Sequence, residues 1–329
     1  IRSVEAALKY FLLGAFATGF LVYGMSLVYG ATGSLQYDVI AGVVASNSTP
    51  FPALLAIGGV LLAVALSFKV AAFPFHQWAP DVYEGSPTVV TAFMSTAGKA
   101  AAFSAFIAVF AVMMPSSSTL TPQLQQMIAV VSAITMLVGN FTALAQTNVK
   151  RMLAYSSIAH AGYLLMGIVS NSDAGYSAIT FYITSYVFMQ LGAFVVVGIL
   201  ERGNEENLQL GDYAGLAKRE PALAFVMAVF MLSLAGIPPF AGFFGKYLLF
   251  VSAIESGFTW LTIVAVVSSV VSAYFYLGLI VKMYFTESQT EHAPASSGLA
   301  GITLAVTTAA TIVMGLFTTQ LLSIFGTWW

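Results

Sequence analysis

Four side chains in this sequence could carry a proton through an apolar interior: Lys69, Lys99, His160 and Lys246. Each lies inside a long run of apolar residues. A lysine held at mid-bilayer costs about 2.5–3.5 kcal/mol on insertion scales. Its ammonium would sit roughly 15 Å from either surface, too far for the side chain to reach water. A charge kept there is either balanced in an internal ion pair or gains and loses its proton. Burial disfavours an ammonium and a nearby carboxylate favours it, so a partner charge that moves can load or release a proton. An imidazole titrates near neutrality and suits a relay, although a single such histidine reads equally as a hydrogen-bonded core residue.

The polar neighbours fit this chemistry. Thr91, Ser95 and Lys99 recur every four residues and share one helical face. Ser156 and His160 do the same, with Tyr163 a turn beyond, and Ser268, Ser272 and Tyr276 make a third stripe. Such stripes can hold water between titrating groups, and each alone also reads as packing between helices. His76, Asp81 and Glu84 form a polar group that Pro80 keeps from presenting ligands in a regular helix, so a water-exposed funnel fits better than a metal site. Glu5 and Lys9 are spaced as an interfacial i,i+4 pair.

The elements that must position these residues are membrane spans. Only 7% of the 329 residues are charged and the mean hydropathy is +0.90, whereas a soluble domain carries about 25% charged residues. The outer surface must therefore face lipid. Apolar runs of the required length, roughly 20 residues, fall at 8–30, 53–75, 87–114, 123–145, 152–170, 174–200, 221–254, 258–285 and 298–321. The intervening loops are too short for a globular domain. A net charge of −2 leaves no basic footprint for nucleic acid. The absence of cysteine excludes disulfides, thiolate-bound zinc and cysteine-ligated iron–sulfur clusters. The three histidines lie far apart in sequence and give no histidine metal site. With Ile1 first and no signal-peptide pattern, the sequence reads as a piece that lacks an N-terminal part.

Charge placement sets the topology. With a cytoplasmic N-terminus, Arg2, Lys9, Lys150, Arg151, Arg202, Lys218, Arg219 and Lys282 all fall at cytoplasmic ends, as the positive-inside rule requires. The C-terminus is then on the opposite side. The parity holds only if 221–254 is one crossing, interrupted at Gly236-Ile237-Pro238-Pro239. A second interruption follows 53–75, where Pro74 and Pro80 bracket Phe75-His76-Gln77-Trp78. Paired interrupted helices point to an inverted-repeat transporter.

Three motifs make the resemblance specific. The first is Phe68-Lys69 followed by Pro74-Phe75-His76-Gln77-Trp78-Ala79-Pro80-Asp81-Val82-Tyr83-Glu84-Gly85-Ser86-Pro87-Thr88. The second runs Gln146-Thr147-Asn148-Val149-Lys150-Arg151-Met152-Leu153-Ala154-Tyr155-Ser156-Ser157-Ile158-Ala159-His160-Ala161-Gly162-Tyr163. The third is Leu234-Ala235-Gly236-Ile237-Pro238-Pro239 with Gly245-Lys246. In content and order they resemble the antiporter-like subunits of proton-pumping NADH:quinone oxidoreductase (complex I), of the subunit N type, over essentially the whole chain.

The resemblance implies an all-α integral membrane protein of about nine transmembrane helices, two of them broken, in the antiporter-like inverted-repeat fold. Residues 1–115 would be the C-terminal part of the first repeat, 116–286 the second repeat, and 287–329 a C-terminal transmembrane helix. Lys69 matches the lysine on the first broken helix, Lys99 the connecting lysine and Lys246 the lysine on the second broken helix, with His160 on the polar axis between the last two. A glutamate on the preceding helix would pair with Lys69. The implied function is proton translocation in the membrane arm, in a bacterial inner membrane. This chain would bind no cofactor, with NADH, FMN, iron–sulfur clusters and quinone in partner subunits. Its partners would be other membrane-arm subunits, lipids, water and protons. A stand-alone cation/proton antiporter subunit and a mainly structural membrane-arm subunit are the alternatives. The role of Lys69 is testable by charge without titration, because arginine cannot deprotonate in proteins. Lys69→Arg should impair pumping about as badly as Lys69→Ala, with native gels confirming assembly; near-normal pumping by the Arg variant would leave Lys69 a fixed counter-ion.

Overall fold

In hydrocarbon a chain must satisfy its own backbone groups, so apolar runs of this length become helices. The structure is a computed structural model and describes residues 2–201, 208–287 and 298–325. In chain order the helices are α1 (Arg2–Thr32), α2 (Tyr37–Ala45), α3 (Pro52–Val70), α4 (Trp78–Gly85), α5 (Thr88–Met113), α6 (Thr121–Leu144) and α7 (Val149–Ser170). They continue with α8 (Asp173–Leu200), α9 (Leu216–Arg219), α10 (Pro221–Ala235), α11 (Ala241–Glu255), α12 (Thr259–Phe285), α13 (Gly298–Leu316) and α14 (Thr318–Phe325). Eight are long and apolar enough to cross a membrane, and α10 with α11 makes one further, interrupted crossing. The protein is therefore a multi-pass membrane protein.

Two details depart from the sequence reading. The segment 31–50, expected to be a loop, contains α2, whose Ile40 and Val44 are buried. The expected span 298–321 is divided at Phe317 into α13 and α14. There the Thr318 hydroxyl turns back onto the carbonyls of Met314 and Gly315, at 2.8 and 3.0 Å, a local bond that competes with regular helix.

The centre of the protein is α7. In its most apolar stretch 94% of residues are buried, against 17% in α1. It is surrounded by α4, α5, α6, α8, α11 and α12. Its start is set by Asn148, whose side chain accepts from the amides of Lys150 and Arg151 at 2.8 and 3.2 Å, the usual device for the free amides of a first turn. The closest of these packings is with α6. A Cβ added at Gly139 would lie 2.6 Å from the backbone nitrogen of Ala159, so the two helices meet backbone to backbone there.

Both interruptions fall where the sequence placed them, and protein groups satisfy the backbone they free. After α3, Ala71 takes a left-handed conformation. The Phe68 carbonyl then accepts from the Trp78 indole at 3.0 Å, and the Phe73 amide donates to Thr135 on α6 at 3.0 Å. After α10, Gly236 is left-handed with φ +86°, and the Gly242 amide donates to the Ser233 hydroxyl at 3.1 Å.

The cations gather at one end. The Val149 amide bonds the Leu208 carbonyl, Leu210 bonds Thr147, and Gly215 bonds Lys282, at 2.8, 2.7 and 3.1 Å. These contacts bring Lys150, Arg151, Lys218, Arg219 and Lys282 together, and Lys9 reaches the same end through Asp81. Arg202 and the side chain of Arg2 lie outside the described residues. Asn47 with Ser117, and Asn171 with Met114, close the opposite end. Lys218 and Ser116 are exposed at the two ends. A membrane-impermeant maleimide should modify Lys218→Cys and Ser116→Cys from opposite faces of sealed vesicles, and modification of both from one face would break this topology.

Candidate proton-translocation site

Lys99, His160 and Lys246 are buried, at 3%, 1% and 3% exposure, and the fold brings them into one run. Lys99 projects from α5 onto α7. Its ammonium donates to both the carbonyl and the hydroxyl of Ser157, the latter at 2.6 Å, and lies 5.4 Å from the centroid of the Tyr186 ring. Tyr186 in turn packs on His160, ring centroids 5.2 Å apart. His160 has both ring nitrogens engaged: Nδ1 meets the Tyr182 hydroxyl at 2.6 Å and Nε2 meets the Tyr276 hydroxyl at 3.1 Å. Tyr276 also bonds Ser156.

From His160 the run continues through Tyr163, 5.9 Å away between ring centroids. The Lys246 ammonium lies over the other side of this path, 4.9 Å from the Tyr163 ring. Lys246 stands on α11 two turns beyond the second interruption, as the sequence implied, and closes it. Its ammonium donates to the Ala235 carbonyl, the freed end of α10, at 3.0 Å and to Ser269 at 2.9 Å. Asn140 fixes the ring, donating to Tyr163 at 3.1 Å and to Ser268 at 2.6 Å.

Among the described residues no carboxylate pairs with Lys99 or Lys246. Each ammonium is held by carbonyl and hydroxyl oxygens and by an aromatic face. The carbonyl and hydroxyl oxygens accept from an ammonium and from a neutral amine alike, whereas a carboxylate would pin the charge. The arrangement can therefore hold either protonation state, with hydroxyls spaced between the nitrogens.

Lys69 is placed differently. It is exposed, on the flank that α3 shares with α1, with its ammonium 5.5 Å from the Tyr10 ring and 5.9 Å from the Phe68 ring. Among the described residues it makes no hydrogen bond or ion pair, and it touches none of the other three. The expected stripes also divide. Ser156 and Tyr276 join His160, and Ser268 joins Asn140. Thr91, Ser95 and Ser272 bond backbone carbonyls at 3.0, 3.0 and 2.6 Å and serve packing.

At the cationic end, Arg151 bridges Asp81 and Glu84, at 2.8 Å each, and Lys9 bridges Glu5 and Asp81, at 2.7 Å each. A cleft of about 230 Å³ opens among Glu5, Lys9, Asp81 and Glu84. Partial burial works against the Asp81 carboxylate, but the hydrogen bonds from Lys9 and Arg151 outweigh it and hold the carboxyl below its ordinary value. His76 stands apart and stacks on Phe73; no three metal-ligating side chains gather among the described residues. Lys150, placed by the sequence at a cytoplasmic end, is fully buried there. It donates to the Ser86 carbonyl at 2.8 Å and pairs with Glu201 at 3.5 Å.

Ser157, Tyr182, Tyr186, Asn140 and Ser269 were not among the residues the sequence singled out. Tyr182 and Tyr186 carried a signal, since two tyrosines four apart on one helix face make a stripe as regular as the serines. Ser157 and Ser269 are neighbours of Ser156 and Ser268, and only the packing shows which of each pair meets a lysine.

Among the described residues, nine crossings, two of them interrupted, around a run of buried titratable groups define a polytopic helical membrane protein with a polar interior. The chain belongs to the NADH:quinone oxidoreductase/Mrp antiporter transmembrane family, whose match covers residues 1–272. It is 47% identical over 98% of its length to NADH-quinone oxidoreductase subunit N of Trichlorobacter lovleyi, covering 66% of that protein. Across three curated relatives of this name, from Trichlorobacter lovleyi, Chloroherpeton thalassium and Rhodospirillum rubrum, the chain spans between 60% and 66% of their length. Among solved structures it matches a chain of respiratory complex I from Thermus thermophilus with bound aureothin, at 40% identity and TM-score 0.83, over 98% of this chain and 69% of that one. A chain of the Mrp complex from Dietzia sp. DQ12-45-1b shares the fold, with TM-score 0.85 at 24% identity over 99% of this chain and 68% of that one.

The backbone contact between α6 and α7 gives a test of what positions His160. Gly139→Ala would drive α6 against Ala159, the residue before His160, and should destabilise the protein by about 1–3 kcal/mol. Gly98→Ala, beside Lys99 but with nothing within 4 Å of the added Cβ, should be silent. Thermal melts of the purified protein compare the two, and equal melting would contradict the packing described.

Proposed function

We propose that this chain is the proton-translocating part of a membrane-arm subunit of a bacterial NADH:quinone oxidoreductase. The observation that carries the reading is the run from Lys99 through Ser157, Tyr186, His160 and Tyr163 to Lys246, inside a chain of this family. Electron transfer from NADH through FMN and iron–sulfur clusters to quinone would take place in partner subunits and drive the run by moving charge near its ends. Each proton moved outward works against about 2.3 kcal/mol per 100 mV. A change in lysine protonation supplies energy on that scale, about 1.36 kcal/mol for each unit by which a partner charge shifts the lysine.

In this reading residues 1–115 belong to a first repeat, 116–286 form the second, and 287–329 add a flanking helix. The cationic end faces the cytoplasm. Lys69 is the proton carrier of the first repeat, paired with a carboxylate from outside the described residues. Lys99 connects to the second repeat, His160 relays, and Lys246 exchanges the proton at the second interruption. Water and lipid surround the ends of the path, and neighbouring membrane-arm subunits cover the exposed flank of α1 and α3.

The test separates a titrating lysine from a fixed charge in the assembled enzyme. Lys246→Arg keeps the cation and cannot release its proton. In vesicles whose complex is intact by native gel and still carries the redox subunits, Lys246→Arg and Lys99→Ala should each lower NADH-driven acidification by about fivefold or more. Undiminished pumping by the Arg variant would remove Lys246 from the path. Failure of the chain to co-purify with redox subunits would remove it from this enzyme.

A further inference from the structure

Three polar side chains on α8, Tyr182, Tyr186 and Gln190, face inward at successive turns and are fully buried. Tyr182 is bonded to His160. The other two are left open: the Tyr186 hydroxyl and Gln190 Oε1 are buried with no hydrogen-bond partner in the protein. The Tyr186 hydroxyl approaches that of Ser157 without reaching hydrogen-bond geometry. The Gln190 amide nitrogen reaches only the Leu153 carbonyl, at 3.4 Å. A buried polar atom left unpaired costs about 1–3 kcal/mol. A polar contact between buried groups stretched past bonding distance is the usual place for a bridging water.

What lies on either side of these two atoms gives them a role. Along α7, Lys150, Leu153, Ser157 and His160 recur at three- and four-residue spacing and so share a face. Ser157 accepts from Lys99. Leu153 offers its carbonyl to Gln190, one turn from Lys150, a buried ion that the run from Lys99 to Lys246 does not use. Lys150 pairs with Glu201, which also accepts from Thr88. Polar groups therefore succeed one another from Glu201 and Lys150 through Leu153, Gln190 and Tyr186 to Ser157 and Lys99. The helical rise from Lys150 to Ser157 is about 10 Å, which a few waters in series would cover.

We propose that Tyr186 and Gln190 bind a short file of ordered water that passes protons between the Lys150–Glu201 pair and Lys99. This assignment rests on the proposed function and extends the path to the cationic end of the protein. Tyr186 then has two contacts with the path, its ring face on Lys99 and its hydroxyl on the water. Gln190 is a positioning residue: it touches the water through Oε1 and anchors to α7 through its amide.

The test uses the whole complex in membrane vesicles, with NADH oxidation and acidification measured in H2O and in D2O. Gln190→Met keeps side-chain length and removes the amide, and Gln190→Glu keeps an acceptor oxygen. Gln190→Met should slow coupled turnover about fivefold or more and raise the solvent isotope effect, because proton delivery becomes limiting. Tyr186→Phe should act in the same direction, and the double variant should be no slower than Gln190→Met alone, since both act through one water file. Gln190→Glu should restore most of the rate. A Gln190→Met complex that pumps within about twofold of the unmodified enzyme, with its isotope effect unchanged, would overturn the proposal. Should Gln190→Met fail to assemble, a water-resolving cryo-EM map of the unmodified complex decides. Density within hydrogen-bond distance of both the Tyr186 hydroxyl and Gln190 Oε1 supports the file, and dry contact at both sinks it. Lys99→Ala is measured alongside. If it pumps normally, the broader function fails; if it blocks pumping while Gln190→Met does not, only the water file fails.

Discussion

Hydrocarbon offers no hydrogen-bond partner, and the rest of this structure depends on that constraint. A backbone carbonyl freed inside the bilayer must find a donor within the protein. At the second interruption the donors are Lys246 and Ser269, which meet the Ala235 carbonyl. At the first the Trp78 indole donates to the Phe68 carbonyl, and the Phe73 amide finds its acceptor in the Thr135 hydroxyl. The broken helices and the intramembrane lysine thus solve each other's problem. The break exposes an acceptor, and the lysine supplies a donor that would otherwise be stranded.

This pairing links protonation to backbone geometry. An ammonium bonds a carbonyl more strongly than a neutral amine does. If Lys246 gives up its proton as proposed, the hold on the end of α10 weakens although a donor remains. The state of the lysine and the set of the interrupted helix are then two readings of one variable. Lys99, by contrast, grips an unbroken helix at Ser157, where a change in charge meets a rigid partner. The two lysines flank His160 with different partners, an unbroken helix at one end of the run and an interrupted one at the other.

Much of this was legible in sequence, for physical reasons that differ by residue. Spans were legible because length and apolarity decide them. Pro74, Pro238 and Pro239 marked the interruptions, since proline removes an amide donor from the ladder. Lys99, Lys246 and His160 stood out because charge or titration inside an apolar run is rare. The burial of Lys150 was not legible: a lysine beside a loop, next to Arg151, reads as solvated until Ser86 and Glu201 are seen to close over it. Lys69 shows the reverse. Its sequence surroundings are as apolar as those of Lys99, yet its face of α3 looks outward, because one helix pattern cannot tell a protein neighbour from lipid. The α2 segment hid for a third reason, being nine residues long and set among Gly, Ser and Pro.

The enclosure of α7 has a consequence for the bilayer itself. The helix that carries Ser157, His160 and Tyr163 is wrapped by protein on every side, while α1 meets the outside along most of its length. Acyl-chain length, saturation and fluidity therefore have no direct access to the hydroxyls and imidazole at the centre. They meet the outer helices, α1 foremost, rather than His160. The run proposed to carry protons is in this sense shielded from lipid by the protein, and a change of membrane composition meets the frame around it before the groups within.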